Sequence, residues 1–208
     1  KDNAVKIEGV ITGVASDRAW IQDDTGAIVL YRPTNLDSLK VGDKVRVSGN
    51  TAVYNGLKQL AANATYELVS KGNAIPAPRL STTQAIHDNL GGYESQRVLL
   101  KNMTVTSLNY EGTSEFTSED GSTIGAHRAP NLEGIAVGDV VNIIGFVDNF
   151  KGAQIKILNS SDVTLYTGEF DPIDDSEITT DMTSLKDAQT LAEDTIATLI
   201  GSVAYKYD

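Results

Sequence analysis

The sequence contains no cysteine and only two histidines, His87 and His127, among its 208 residues. Without thiols the chain can form neither a disulfide nor a thiolate zinc site, and two imidazoles are few for a metal centre. We therefore expect neither a metal ion nor another cofactor.

Long apolar runs are also missing. No stretch approaches the roughly 18 apolar residues of a membrane-spanning helix, and the opening KDNAVKIEG has neither the charged nor the apolar region of a signal peptide. The sequence predicts no membrane insertion. An acidic chain without cysteine is compatible with export as well as with the cytosol, and we expect an extracellular or cell-surface location.

Positive charge is scarce overall, with 17 Lys and Arg against 28 Asp and Glu, a net charge of −11. Such a balance disfavours nucleic-acid binding, which depends on cations that neutralise phosphates. The acid is unevenly placed, however: residues 1–70 carry eight basic and eight acidic side chains, whereas residues 167–208 carry two and ten. The objection therefore applies mainly to the end of the chain.

What the sequence does contain is a repeat with an offset of 96 residues: VGDKVRVSG from Val41 returns as VGDVVNIIG from Val137. A third, partial copy is indicated by ATLIGSVAY from Ala197, which is similar to VKIEGVITG from Val5. The expected domains are a first repeat at 1–70, a helical linker at 71–96, a second repeat at 97–166, an acidic linker with a short helix at 167–194, and the first strand of a truncated third repeat at 195–208.

Each repeat alternates apolar and polar residues with a period of two, as in VKIEGVITGV and KVRVSG, which is typical of half-buried strands. Five such runs in about 70 residues favour a small closed barrel over a sandwich. The fold-class prediction is all-β, with two tandem five-stranded OB-fold barrels. Helical spacing in STTQAIHDNL and TSLKDAQTLAED predicts short helices in the linkers.

The segments IQDDTGAIVLY and VGDKVRVSG resemble the tandem OB-fold repeats that accompany endonuclease/exonuclease/phosphatase domains in bacterial secreted or wall-anchored nucleases. The resemblance implies a nucleic-acid-binding accessory region, with single-stranded nucleic acid as a weakly bound partner. It also implies that adjacent domains of a longer chain carry the catalytic machinery.

Candidate binding residues follow from the alternation in the second and third strands. Ala19, Ile21, Ile28 and Leu30 suit the interior, and the intervening residues then face outward. Aromatic rings and cations on that face of an OB barrel can stack on bases and bind phosphates. With the nearby hairpin, the predicted nucleic-acid-binding residues are Arg18, Trp20, Gln22, Tyr31, Arg32, Tyr54 and Lys58.

Packing alternatives accompany these residues. Trp20 can instead pack against a linker or the neighbouring barrel, and Tyr54 with its counterpart Phe150 can brace a hairpin that turns at Asn55-Gly56. In the second repeat Glu115 and Ala126 fall where Trp20 and Tyr31 stand, and only His127 and Arg128 retain hydrogen-bond donors. The second repeat is therefore expected to be a spacer or protein-contact unit.

No nucleophile–base pair, metal cluster or phosphate loop is recognisable, so we predict no enzymatic activity. Asp23 and Asp24 suit a turn, and His87 suits a surface or helix-packing role. The acidic run Asp171–Glu177 suits a solvated linker, with weak calcium binding as the alternative. The predicted function is a binding accessory of an exported nuclease-like protein. The alternative is a structural spacer, or a protein- or carbohydrate-interaction module, of a bacterial surface protein.

Overall fold

A computed structural model describes residues 4–168 and the backbone of residues 182–183 and 198–199. The chain divides into two compact units, Lys1–Thr167 and Gly168–Asp208. In the second unit Met182–Thr183 (β14) pairs in parallel with Thr198–Leu199 (β15). The predictions of a helix at 183–194, of an acidic linker and of a third-repeat strand at 195–208 lie almost wholly outside the described residues.

The first barrel is closed by five strands in the spatial order β1-β2-β3-β5-β4-β1. All neighbours are antiparallel except β3 and β5, which pair in parallel. This is the strand order of the OB fold. A sixth strand, β6, adds to the outer side of β4. The strands are Ala4–Val14 (β1), Arg18–Gln22 (β2), Ala27–Tyr31 (β3), Lys44–Tyr54 (β4), Leu57–Leu60 (β5) and Thr65–Ser70 (β6), with a 3₁₀ helix at Leu36–Ser38.

The second barrel closes in the same order, β8-β9-β10-β12-β11-β8, and again strands three and five pair in parallel. Edge strands β7 and β13 flank it, and two short helices precede it. The fold-class prediction is confirmed. Its elements are Arg79–Ser81 (β7), Thr83–Asp88 (α1), Leu90–Tyr93 (α2), Arg97–Ser107 (β8), Thr113–Thr117 (β9), Thr123–His127 (β10), Val140–Asn149 (β11), Ala153–Lys156 (β12), a 3₁₀ helix at Ser160–Asp162 and Val163–Leu165 (β13).

The repeated Val-Gly-Asp segment makes the same turn before the fourth strand of each barrel. Gly42 and Gly138 adopt φ values of +87° and +96°, a region that favours glycine. The Asp43 carboxylate accepts the Lys40 N–H at 3.0 Å, and Asp139 accepts the Ala136 N–H at 2.8 Å. The sequence repeat therefore reflects the same turn in both barrels, in which a glycine with positive φ is followed by an aspartate that accepts a backbone hydrogen bond.

Each barrel has its own apolar core, and the predicted interior residues Ala19, Ile21 and Leu30 are buried in the first. The second core includes Ile86 of α1. His87 faces the barrel as well, because its Nε2 donates to the Thr123 carbonyl at 2.8 Å. His87 is exposed and makes this contact, so the expected surface and helix-packing roles are both present. The domain boundaries stay predictions, because both barrels belong to one compact unit.

Candidate functional site

Trp20 does not form an exposed platform. Its side chain points out of the first barrel, as the alternation predicts, but only 1% of it is exposed because the second barrel covers it. The indole stacks on the Phe146 ring at a centroid distance of 4.6 Å and an interplanar angle of 25°. Trp20, Val29, Leu57 and Phe146 form one buried cluster, called the seam below. The prediction of Trp20 as an exposed stacking residue is wrong, and packing against the neighbouring barrel is correct.

A glycine in β1 makes this contact possible. A Cβ atom at Gly13 would lie 2.6 Å from Cζ of Phe146, so any side chain there would displace the ring. In the seam, the stacked rings of Trp20 and Phe146 therefore pack closely against the β1 backbone at Gly13, which has no side chain.

Trp20 is the sole tryptophan of the chain, which allows a direct test of its burial. We expect an added single-stranded oligonucleotide to leave its emission maximum and intensity almost unchanged, because the indole already has Phe146 as its stacking partner. A fluorescence titration measures this. Quenching in proportion to the bound fraction would show that Trp20 stacks on a base after all.

The hairpin tips of the two barrels meet beside the seam. Asn55 and Gly56 both have positive φ, 51° and 108°, as the predicted type I′ turn requires. The Asn55 carbonyl accepts the Lys151 N–H at 2.7 Å, and Asn149 Nδ2 donates to the Gly56 carbonyl at 3.1 Å. These bonds tie the fourth-to-fifth-strand hairpin of each barrel to the other.

Tyr54 and Phe150 stand above this junction with their ring centroids 6.4 Å apart and tilted by 49°. They remain 61% and 48% exposed. Exposed, partly opposed rings of this kind can contact a flat ligand. The bracing alternative and a binding role for Tyr54 are therefore compatible.

Glu94, at the end of α2, connects the linker to both hairpins. It is only 7% exposed. Oε1 accepts the Lys58 backbone N–H at 2.8 Å and lies 3.5 Å from Asn149 Nδ2, while Oε2 lies 3.4 Å from Lys58 Nζ. The predicted phosphate contact Lys58 thus already has a carboxylate partner.

A cleft of about 530 Å³ opens next to the seam and is walled by both barrels. The first barrel contributes the loop between β1 and β2 and part of its hairpin, and the second contributes the end of β10, its hairpin and β12. The lining residues are Ala15, Ser16, Asp17, Arg18, Tyr54, Leu57, Thr113, His127, Arg128, Asp148, Asn149, Phe150, Gln154, Ile155 and Lys156.

Cations from both barrels face this cleft. Arg18 donates to both oxygens of Asp17, at 2.9 and 3.0 Å, and these bonds lower the pKa of Asp17 and raise that of Arg18. Lys156 is half-buried, and its Nζ lies 3.5 Å from the His127 carbonyl. Burial, followed by the charge of Arg18 and with a smaller effect of Arg128, lowers the pKa of Lys156. The cationic groups of the two barrels are therefore close enough to affect one another.

The remaining predicted residues lie elsewhere. Gln22 borders a separate hollow with Glu8 and Gly26 at the far end of β2. The Arg32 guanidinium lies 5.2 Å from the Tyr31 ring centroid, outside the residues that line the cleft. Of the seven predicted binding residues, Arg18 and Tyr54 thus line the cleft together. Tyr31 lies opposite Arg18 on the neighbouring strand.

The second barrel supplies residues that were not among the predicted binding residues. His127 pairs with Thr113 as Tyr31 pairs with Arg18, so His127, and not Ala126, stands at the position of Tyr31. Ala126 is fully buried. The offset of 96 residues also maps Arg32 onto Arg128, and both adopt positive φ, 42° and 48°. Applied strictly, that offset would have identified His127 and Arg128.

Metal-ligand side chains do not cluster in the described residues. Within them, no group of three or more His, Asp or Glu side chains could hold a metal ion. Asp23 serves its predicted turn, accepting the Thr25 and Gly26 N–H groups at 2.8 and 3.1 Å. In the part of the chain that the structure describes, no helix has the length and apolar character needed to cross a membrane.

Comparison with known proteins gives one similarity in sequence. The chain is 31% identical over 114 residues to Endonuclease YhcR of Bacillus subtilis (strain 168). The match covers 50% of this chain and 9% of that protein, so the chain spans about a tenth of its relative. No family model matches the sequence. The resemblance to parts of bacterial nucleases is confirmed to this extent.

Solved structures show weaker likenesses. A chain described as "Structural mimicry for functional antagonism" has a TM-score of 0.40 at 10% identity and covers 78% of this chain and 94% of its own. The tetrameric p202 HIN2 has 0.33 at 8%, covering 80% and 92%. A deletion mutant of the single-stranded DNA binding protein from Thermus aquaticus has 0.24 at 14%, covering 84% and 98%. TM-scores this low do not define the fold, so the OB-fold assignment rests on the strand order of the two barrels.

Proposed function

We propose that this chain is a non-catalytic, nucleic-acid-binding accessory module of a longer nuclease-like protein. The observation that carries the proposal is the cleft between the barrels, which is lined by Arg18, Arg128 and Lys156 together with the exposed rings of Tyr54 and Phe150. Rings that stack on bases beside cations that meet phosphates are the two components of sequence-independent single-strand binding. The local similarity to Endonuclease YhcR supports the same proposal.

The charge of the described region sets the expected strength. Residues 4–168 carry 14 Lys and Arg against 17 Asp and Glu, so long-range attraction for phosphates is absent and only local contacts contribute. We expect weak binding, with a Kd of roughly 10⁻⁴ to 10⁻⁶ M at physiological salt, in the range of non-specific association, and tighter binding at low salt. Export to the cell surface is part of the proposal, and the acidic, cysteine-free composition is compatible with export as it is with the cytosol.

A titration of the full chain with a labelled single-stranded oligonucleotide at low salt tests the function. Tyr54→Ala should weaken binding by about 1–3 kcal/mol, the usual contribution of one stacked base. Val53→Ala is the matched control, because Val53 is the adjacent residue of β4 and is 69% exposed. Absence of binding by the unaltered chain, or equal losses in both variants, would reject the proposal.

A structural spacer is the second candidate, and the seam favours it, because a buried aromatic stack holds the two barrels together. The same titration separates the candidates. A carbohydrate bound to Tyr54 and Phe150 could be distinguished from a nucleic acid, because the affinity for a neutral sugar would depend little on salt concentration.

A further inference from the structure

The surface on which OB barrels commonly bind ligands is closed in the first barrel. That surface is the outer face of strands two and three, and here its central residues Trp20 and Val29 are each 1% exposed. Both belong to the seam with Phe146. A nucleic acid bound by this unit must therefore follow another path, and the cleft beside the seam is lined by cations of both barrels.

The cations of that cleft are incompletely neutralised. Arg18 is held by Asp17, but among residues 4–168 neither Arg128 nor Lys156 forms a salt bridge. The charges of Asp148 and Asp17 favour the charged form of Lys156, whereas those of Arg18 and Arg128 oppose it. Because Arg18, Arg128 and the half-buried Lys156 line the same cleft, an anion bound there would be attracted to all three groups.

We propose that Arg18 of the first barrel and Arg128 and Lys156 of the second together bind one phosphate group, so that a single strand crosses the seam and belongs to both barrels. The inference rests on the proposed function and names the path of the ligand. It also reverses the expectation that the first barrel binds alone while the second is a spacer.

The dimensions of the cleft agree with a single nucleotide unit. Its volume of about 530 Å³ lies within the roughly 300–1,000 Å³ of pockets that enclose small ligands. Tyr54 and Phe150 line the same cleft, so the base next to the bound phosphate can reach their rings. A duplex keeps its bases stacked inside and cannot present one there, which predicts a preference for single strands.

The test compares salt dependence in charge variants of the full chain, with a labelled oligothymidylate of about twelve nucleotides as the probe. Arg128→Gln and Lys156→Gln should each weaken binding severalfold, and the two together by less than the product of the single effects, because they share one anion. In the triple variant with Arg18→Gln, the slope of log K against log salt should flatten by about 0.7, the value for one phosphate on a single strand.

Two controls accompany these variants. Lys40→Gln removes an exposed cation outside the cleft and should leave affinity nearly unchanged. Lys156→Arg retains the charge and should preserve the slope. The emission of Trp20, buried in the seam, checks that every variant keeps its two barrels docked.

The outcomes separate the inference from the function on which it rests. If the unaltered chain binds but the cleft variants behave like Lys40→Gln, the shared phosphate site is rejected and the accessory function stands. A slope that flattens by about 2 would mean three separate phosphates and would also reject the shared site. If the unaltered chain does not bind, both proposals fail.

Discussion

Replacing Trp20 with alanine should lower the free energy of unfolding by about 3–5 kcal/mol, the usual loss for a large aromatic side chain removed from a packed interior. Trp20 is 1% exposed, and its neighbours Val29, Leu57 and Phe146 would line the resulting cavity. For a unit of this size the loss corresponds to a fall in melting temperature of about 6–20 °C. The effect should exceed that of the charge substitutions at Arg18, Arg128 and Lys156 in the cleft.

Urea denaturation followed by circular dichroism measures the loss, since the variant has no tryptophan. Phe146→Ala should have a similar effect, and the double variant should lose less than the sum, because the two rings stack on each other. Leu80→Ala is the control, as Leu80 is 64% exposed and should change stability by less than about 0.5 kcal/mol. Additive losses at Trp20 and Phe146 would mean that the seam does not couple the barrels.

The fold could be predicted from the sequence because its determinants are local. Alternation with a period of two assigned Ala19, Ile21 and Leu30 to the interior, and the repeated Val-Gly-Asp turn marked the entry to each fourth strand. Both features depend on residues that are close together in the sequence. They can therefore be recognised without knowing which distant residues are in contact. The same alternation correctly turned Trp20 away from its own core.

The site could not be predicted in the same way, because alternation states which way a side chain points but not what covers it. Trp20 and Phe146 lie on strands of different barrels, and only their docking makes them partners. The cleft has the same origin: Arg18 and Lys156 belong to different barrels. A prediction confined to one repeat therefore selected a buried tryptophan and omitted two of the three cations of the cleft, Arg128 and Lys156.

Glu94 in the linker is another residue whose burial could not be predicted from the sequence. Glu94 follows a short helix in the segment GGYESQ, where a glutamate would ordinarily be a solvated surface residue. Its burial arises because both hairpins converge on it and donate hydrogen bonds to its carboxylate. The helical linker is thus a structural part of the contact between the barrels.

Replacing Glu94 with alanine should destabilise the unit by about 2–3 kcal/mol, because the buried Lys58 N–H and the Asn149 amide would lose a charged acceptor. Lys58→Ala should lose less than about 1 kcal/mol, since it keeps the backbone donor and removes only an ammonium group that is 66% exposed. Glu94→Gln should fall near Lys58→Ala, because its amide oxygen can still accept the Lys58 N–H. Urea denaturation of the three variants measures this order. If Lys58→Ala proved as damaging as Glu94→Ala, the ion pair, and not the buried backbone hydrogen bond, would be what holds the linker to the hairpins.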